Sequence, residues 1–210
     1  MAFVKTKFFN DEDYDLYLDE QVNSQRIKLD KKRDHNEYDW VSDRLKTVIE
    51  YPPKNRKMLC MGSRNGWEKS CFKKNFESFD IKDLDIIPES GCDYIQDFNS
   101  LPEDWESSWD VIYTNAPDHV IDGESAFLEW VRVLNQSGIL IVGWSIHNTT
   151  EPESKQWSSS IDCTLYGSLD EIRNWICQIP SIEIIDYFGP FFEDDHKVNT
   201  SFNYYMIRKT

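Results

Sequence analysis

Basic residues are in short supply: 23 Lys and Arg stand against 38 Asp and Glu over 210 residues, a formal charge of −15. Affinity for phosphate polymers comes largely from Lys and Arg, so nucleic acid, heparin-like polymers and anionic membranes are poor partners for the average surface. Long apolar runs are missing too. The longest, around residues 139–142, is far too short to span a bilayer, and the opening Met-Ala-Phe-Val-Lys-Thr-Lys-Phe-Phe-Asn-Asp-Glu lacks the apolar stretch of a signal peptide. A soluble, cytoplasmic protein with no membrane partner is expected. There is no Cys-x-x-Cys pair. The five cysteines, Cys60, Cys71, Cys92, Cys163 and Cys177, are odd in number and widely spaced, which speaks for reduced, mostly buried thiols. No compact set of metal ligands at recognisable spacing occurs, and there is no internal repeat or low-complexity tract.

What is plentiful is apolar and aromatic material. With 40% hydrophobic residues, eight Trp, ten Tyr and twelve Phe, the chain reads as a packed globule despite its charge, and its length suffices for one sizeable core. Charge is unevenly spread: residues 1–50 sum to −3, residues 51–80 to +4 and residues 81–210 to −16. The basic stretch holds Arg64, Lys69, Lys73 and Lys74. A local basic edge of this kind can receive a modestly anionic small molecule even where the average surface repels polyanions.

Residues 1–50 read as a polar helical segment that covers a ligand site on residues 51–210, the two forming one compact unit. Asp39 is expected to cap a helix carrying Trp40, Val41, Leu45, Val48 and Ile49 on one face, with Pro52 and Pro53 beyond its end. Residues 57–61 are a short apolar strand candidate that runs into Gly62-Ser63-Arg64-Asn65-Gly66, and helical spacing resumes over 67–79 through Cys71, Phe72 and Phe76. Further strands are expected at 81–87, 93–95 and 109–114. A helix at 124–134 with Phe127, Trp130, Val131 and Leu134 inward leads through Asn135-Gln136-Ser137-Gly138 to the strongest strand, 139–144. A polar loop follows at 147–160, and Ser168-Leu169-Asp170-Glu171 is a capping box opening a helix with Leu169, Ile172, Trp175, Ile176 and Ile179 inward. Residues 182–188 and 202–207 have only a loop between them and should pair antiparallel. The alternation predicts an α/β three-layer sandwich: a seven-stranded, mostly parallel sheet ending in an antiparallel hairpin.

In an open α/β sheet the ligand lies beyond the carboxyl ends of the strands, near the switch in strand order. After the first strand, Gly62 and Gly66 frame a tight turn where main-chain N–H groups can approach a ligand. Asp85, with Ile86 after it, ends the second strand 23 residues beyond Gly62, the interval at which a carboxylate receives ribose hydroxyls in such folds. Asp97 follows the third strand, suited to accept from an adenine amino group while Phe98 offers an apolar face. Asn115-Ala116-Pro117-Asp118-His119 follows the fourth.

In order and spacing these features resemble the class I S-adenosylmethionine-dependent methyltransferases over about residues 57–144. Leu59-Cys60-Met61-Gly62-Ser63-Arg64-Asn65-Gly66 is similar to that family's glycine motif, and Asp85 and Asp97 to its ribose and adenine acids. Asp110-Val111-Ile112-Tyr113 with Asp118-His119-Val120 looks like its fourth motif. Arg132-Val133-Leu134-Asn135-Gln136-Ser137-Gly138 looks like its "RVLKPGG". The resemblance implies S-adenosyl-L-methionine as cofactor, bound by Gly62, Ser63, Arg64, Gly66, Asp85, Ile86, Asp97, Phe98 and Asn115, and methyl transfer to a small-molecule or sugar acceptor, on O in preference to N. It implies His119 as the base for a hydroxyl acceptor, with Asp118 beside it and His147 as a second candidate. Two positions depart from the family. Cys60 stands where an acid helps hold the methionine amino group, for which Glu68 or a backbone carbonyl can substitute. Arg64 replaces a glycine and can meet the methionine carboxylate.

Other readings stand beside this one. His35 and His196 lie in polar stretches and read as solvated, and Trp40, Trp67, Trp144 and Trp157 either pack in the core or line the pocket. Asn115-Ala116-Pro117-Asp118 lacks the stacking aromatic of the Asn-Pro-Pro-Tyr amino methyltransferases. A nicotinamide-dinucleotide oxidoreductase would want the full three-glycine fingerprint, and a non-catalytic relative using the fold as an interaction scaffold would account for Cys60 and Arg64.

Overall fold

The computed structural model describes residues 4–5, 14–30, 35–49, 55–145, 165–189, 191–192, 199–200 and 202–210. The expectations for Pro52, Pro53, His147, Trp157, Cys163, His196 and the 147–160 loop lie outside the described residues. Seven strands form one sheet: β1 (Lys57–Met61), β2 (Asp80–Asp85), β3 (Tyr94–Ile95), β4 (Trp109–Thr114), β5 (Leu134–Ser145), β6 (Ile182–Phe188) and β7 (Phe202–Lys209). Their spatial order is β3-β2-β1-β4-β5-β7-β6. Pairs are parallel from β3 to β5, and β7 runs antiparallel to both β5 and β6, with Tyr205 opposite Val142 and Tyr187. The α/β sandwich and the antiparallel C-terminal pair are as expected. The order reverses between β1 and β4, which opens a crevice at their carboxyl ends.

Period-two alternation on a doubly covered sheet sorts the side chains into two cores. Met58 and Cys60 of β1, Val111 and Tyr113 of β4, and Ile139 and Ile141 of β5 face the layer of α2 (His35–Val48) and α3 (Trp67–Asn75), meeting Tyr38, Val41, Leu45 and Phe72. Leu59, Met61, Ile112, Leu140 and Val142 face α4 (Gly123–Val133) and α5 (Leu169–Ile176), meeting Phe127, Trp130, Ile172 and Ile176. The remaining helix, α1 (Tyr14–Ile27), buries Tyr17, Gln21 and Gln25.

Several boundaries move, each for a local reason. The second helix begins at His35, so Asp39 is an exposed mid-helix residue whose carboxylate accepts from Asn75 Nδ2 at 2.7 Å; fully buried Tyr38 extends the inward face upstream. Helix α3 stops at Asn75, and Phe76 and Phe79 are buried beyond its end. Strand β2 ends at Asp85, leaving Ile86 and Ile87 outside it. The Asn135-Gln136-Ser137-Gly138 turn is absorbed into β5 as a bulge. Pairing with β4 jumps from Trp109–Leu134 to Val111–Ile139, with Ser137 at φ 62°. The capping box on α5 is present: Ser168 Oγ accepts from Glu171 N at 3.2 Å and Ser168 N donates to Glu171 Oε2 at 2.8 Å.

Trp130 joins α4 to the site loops. It is fully buried, packs on the Phe127 and Phe98 rings, and donates its indole N–H to the Phe98 carbonyl at 2.8 Å. Trp130→Ala is expected to lower unfolding free energy by about 3–5 kcal/mol, read from urea denaturation. A loss under about 1 kcal/mol would contradict this packing role.

Candidate functional site

The crevice is built first by the turn after β1. Gly62 N and Ser63 N donate to the Leu84 carbonyl at 3.0 and 3.1 Å, which stitches the turn to β2. Gly62 and Gly66 both take φ 70°, and Arg64 takes φ 52°. A left-handed backbone at a residue with a Cβ costs about 1–2 kcal/mol. At Arg64 that cost is offset by a 2.7 Å bond from its main-chain N–H to Asp85 Oδ2. The other carboxylate oxygen of Asp85 accepts from Ile87 N at 3.1 Å. Burial raises the Asp85 pKa above the ordinary carboxylate range, and these main-chain donors pull it partly back.

The second wall comes from the segments after β3 and β4. Asp97 Oδ1 accepts from the main-chain and side-chain N–H of Asn99 at 2.9 and 2.7 Å, and Tyr14 donates its hydroxyl to Asp97 Oδ2. Phe98 lies against the Gly62 turn: a Cβ on Gly62 would sit 3.5 Å from its ring and 3.1 Å from Ala116 Cβ. Asn115 is buried, and its side-chain N–H donates to Tyr113 Oη at 3.2 Å. His119 ends a 3-10 turn, Pro117–His119, with its Nε2 3.7 Å from the carboxylate of buried Asp118.

Helix α1 lies across these loops and ties to each of them. Tyr17 donates to the His119 carbonyl at 2.5 Å and accepts from Asn99 Nδ2 at 2.9 Å. Gln25 accepts from Arg64 Nε at 2.9 Å, and Asn65 Nδ2 donates to the Leu29 carbonyl at 2.7 Å. Burial, then the Asp97 charge, pushes the Tyr17 phenol far above its ordinary pKa and keeps it a neutral donor.

Together these pieces enclose a cleft whose empty space, open solvent at its mouth included, is about 550 Å³. Of the residues expected from sequence, Gly62, Arg64, Asp85, Ile86, Asp97, Phe98, Asn115 and His119 line it. Ser63, Gly66 and Asp118 stand behind it. Ser63 donates to Glu68 Oε2 at 3.0 Å, and Gly66 leaves room for Asp83, whose Oδ2 a Cβ there would meet at 3.0 Å. The lining also includes Glu68 and Ala116, and Tyr17, Gln21 and Gln25 from α1. Sequence reasoning missed the α1 trio because their four-residue spacing sets one aromatic and two amides on the buried face, with no apolar stripe to reveal it. Three carboxylates, Glu68, Asp85 and Asp97, thus share the cleft with one guanidinium, Arg64. Among the described residues there is no metal-binding cluster, and no helix is long and apolar enough to cross a membrane.

Sequence comparison finds no matching family model and no matching curated protein. Structural comparison gives a clear answer at the level of fold: the chain has the class I S-adenosylmethionine-dependent methyltransferase fold. It is similar to the 1,6-didemethyltoxoflavin-N1-methyltransferase of Burkholderia thailandensis, solved with 1,6-didemethyltoxoflavin and S-adenosylhomocysteine bound, at 12% identity and TM-score 0.69 over 100% of this chain and 94% of that one. It is also similar to an S-adenosylmethionine-dependent methyltransferase of Mesorhizobium loti, at 14% identity and TM-score 0.59 over 86% and 100% of the two chains. The [4+2]-cyclase SpnF shares the fold at 16% identity and TM-score 0.55 over 71% of this chain and 58% of its own.

The turn at Gly62 is directly testable. Gly91 also takes a left-handed φ, 71°, with nothing within 4 Å of an added Cβ. Gly91→Ala is expected to cost about 1–2 kcal/mol from the backbone alone. Gly62→Ala should cost more in urea denaturation, because its Cβ meets Ala116; equal losses would argue against the close approach.

Proposed function

We propose that this protein is an S-adenosyl-L-methionine-dependent methyltransferase acting on a small polar acceptor. The observation that carries the reading is the convergence of the Gly62 turn, Asp85, Asp97 and Phe98 on one cleft whose charge is three carboxylates to one guanidinium. Such a cleft favours a ligand with a sulfonium, an ammonium and one carboxylate. It disfavours the pyrophosphate of a dinucleotide. The residues present fit the cofactor. Gly62 leaves open the space a Cβ would fill beside Ala116 and Phe98, buried Asp85 has acceptor capacity for ribose hydroxyls, and Phe98 is held by Trp130 as an apolar wall. Asp97 would receive the adenine amino group, in place of or beside the Tyr14 hydroxyl.

The cofactor, when bound, supplies a methyl group already activated on a sulfonium. The chain's own part is to align the acceptor, exclude water and move a proton. His119 takes the proton of an acceptor hydroxyl at Nδ1, and Asp118, 3.7 Å from Nε2, stabilises the resulting imidazolium. The amides of Gln21 and Gln25 and the Tyr17 ring close the acceptor side, and they favour a compact polar molecule such as a sugar over a long polymer. The segment at 1–50 thereby serves as the cover of the site laid on the sheet at 51–210.

Calorimetry with S-adenosylmethionine, S-adenosylhomocysteine, NAD and NADP tests the reading. Binding of the two sulfur nucleosides alone is expected, and binding of the dinucleotides alone would overturn it. Absence of binding by the folded chain would favour the non-catalytic scaffold. Asp85→Ala should weaken nucleoside binding at least about tenfold, the scale of a lost charge-assisted hydrogen bond. His119→Ala should leave binding intact and reduce kcat, by about a hundredfold or more for a lost general base. Because the ionised Asp85 is the acceptor and its pKa is raised, affinity should begin to fall on acidification at a higher pH than an ordinary carboxylate would give. Asp85→Asn should flatten that dependence.

A further inference from the structure

Glu37 is a buried acid that the methyl-transfer chemistry does not use. It lies in the first turn of α2, 5% exposed, and its Oε1 accepts from the Tyr204 hydroxyl of β7. Tyr204 is fully buried, and its Oη stands 3.2 Å from Tyr113 Oη of β4, which accepts from the Asn115 side-chain N–H at 3.2 Å. Asn115 lines the cleft. Four buried side chains thus form one run of hydrogen bonds from a helix packed on the sheet to the wall of the cleft. Strand β5 lies between β4 and β7, and the Tyr204 ring has room over it because residue 143 is glycine: a Cβ there would stand 2.5 Å from the ring. The Tyr113 ring is held in turn by Phe72 and Tyr38, at centroid separations of 4.8 and 6.0 Å.

Each hydroxyl carries one proton, so the direction of the run is set at its charged end. A carboxylate only accepts, and it takes the Tyr204 proton. Burial first, then the neighbouring Tyr113 and Glu37, push the Tyr204 phenol well above its ordinary pKa, so it stays a donor. Its oxygen is left to accept from Tyr113, whose own oxygen is left to accept from Asn115. The opposite placement of the amide, oxygen toward Tyr113, would draw the Tyr113 proton away and set two buried hydroxyl oxygens face to face with no proton between them. The network therefore decides which end of the Asn115 amide points inward. No donor among the described residues reaches the other end, Oδ1.

We propose that Glu37 is a positioning residue: through Tyr204 and Tyr113 it holds the Asn115 amide with its carbonyl oxygen toward the cleft. This wall then selects a ligand that presents an N–H or O–H group and rejects a carbonyl, carboxylate or phosphate. A fixed acceptor discriminates in this way because the wrong ligand sets acceptor against acceptor in a place that water has left. The orientation stands on the network alone, and only the source of the donor, cofactor or methyl acceptor, rests on the methyltransferase reading.

The test is hydrogen exchange of the Asn115 side-chain amide, followed by heteronuclear NMR on the full chain and assigned by the loss of its signal in Asn115→Asp. Glu37→Leu and Tyr204→Phe each remove an acceptor from the run, so the Tyr113 proton turns to Asn115 Oδ1 and the N–H end of the amide swings to the cleft. Side-chain exchange should speed up at least about tenfold, while the main-chain N–H of Ala116, which donates to Thr114 Oγ1 at 3.2 Å, stays within about twofold. Unchanged side-chain exchange in the folded variants, or equal acceleration of both groups, would overturn the proposal. If neither variant folds, the wild type decides: its Asn115 amide should exchange at least about tenfold more slowly than that of exposed Asn174, and equal rates would overturn the orientation. Calorimetry with S-adenosylhomocysteine then locates the donor. A loss of about tenfold or more in Tyr204→Phe assigns it to the cofactor, an affinity within about twofold assigns it to the methyl acceptor, and tighter binding would overturn the donor requirement. Failure of the wild type to bind S-adenosylhomocysteine would overturn the methyltransferase reading, while the orientation of the amide still stands or falls by the exchange rates.

Discussion

The bond on which the site depends is the one from the Arg64 main-chain N–H to the Asp85 carboxylate. A glycine turn projecting from a strand end has little to hold it, and this turn carries a left-handed residue with a long side chain. The buried carboxylate at the end of β2 fixes it from below, together with the two main-chain bonds to Leu84. Burial makes that carboxylate costly to ionise, so the main-chain donors that stabilise its charge also stabilise the turn. Turn and acid thereby become one rigid floor for the cleft.

Around that floor the protein uses two different kinds of support. The sheet and its four flanking helices are held by apolar burial on both faces, with β1, β4, β5 and β7 contributing alternate residues to each core. Helix α1 is held otherwise. Its inward face is Tyr17, Gln21 and Gln25, joined to the loops by hydrogen bonds and by the exposed Arg26–Glu89 pair. Contacts of that type contribute little net free energy each, because water competes for both partners. The polar contacts of α1 thus differ in kind from the apolar burial that holds the sheet.

The sequence makes much of the fold legible because its signals are local. Buried strands such as Trp109–Thr114 stand out as apolar runs, and Ser168 with Glu171 announces a helix start through two hydrogen bonds within four residues. Local evidence also misled at Asp39. A capping residue type sat inside a helix, because Tyr38 one position earlier already had a buried place between Phe72 and Tyr113. The bulge at Asn135–Gly138 resembles a turn in sequence for a similar reason, since its pairing with β4 is decided by the neighbouring strand.

The cleft divides in the same way. The spacing of Gly62, Asp85, Asp97 and His119 is readable because each stands at or soon after a strand end, and strand ends of a parallel sheet lie side by side. Only the tertiary structure brought Tyr17, Gln21 and Gln25 over that edge, since polar residues on a helix carry no signal of what they cover. It alone set Glu68 between Tyr38 and Ser63. The sequence by itself thus determined the strands of the seven-stranded sheet and the acids that stand at their ends, through patterns a few residues long. The approach of segments 30 to 102 residues apart was decided by packing and by hydrogen bonds that no short pattern encodes.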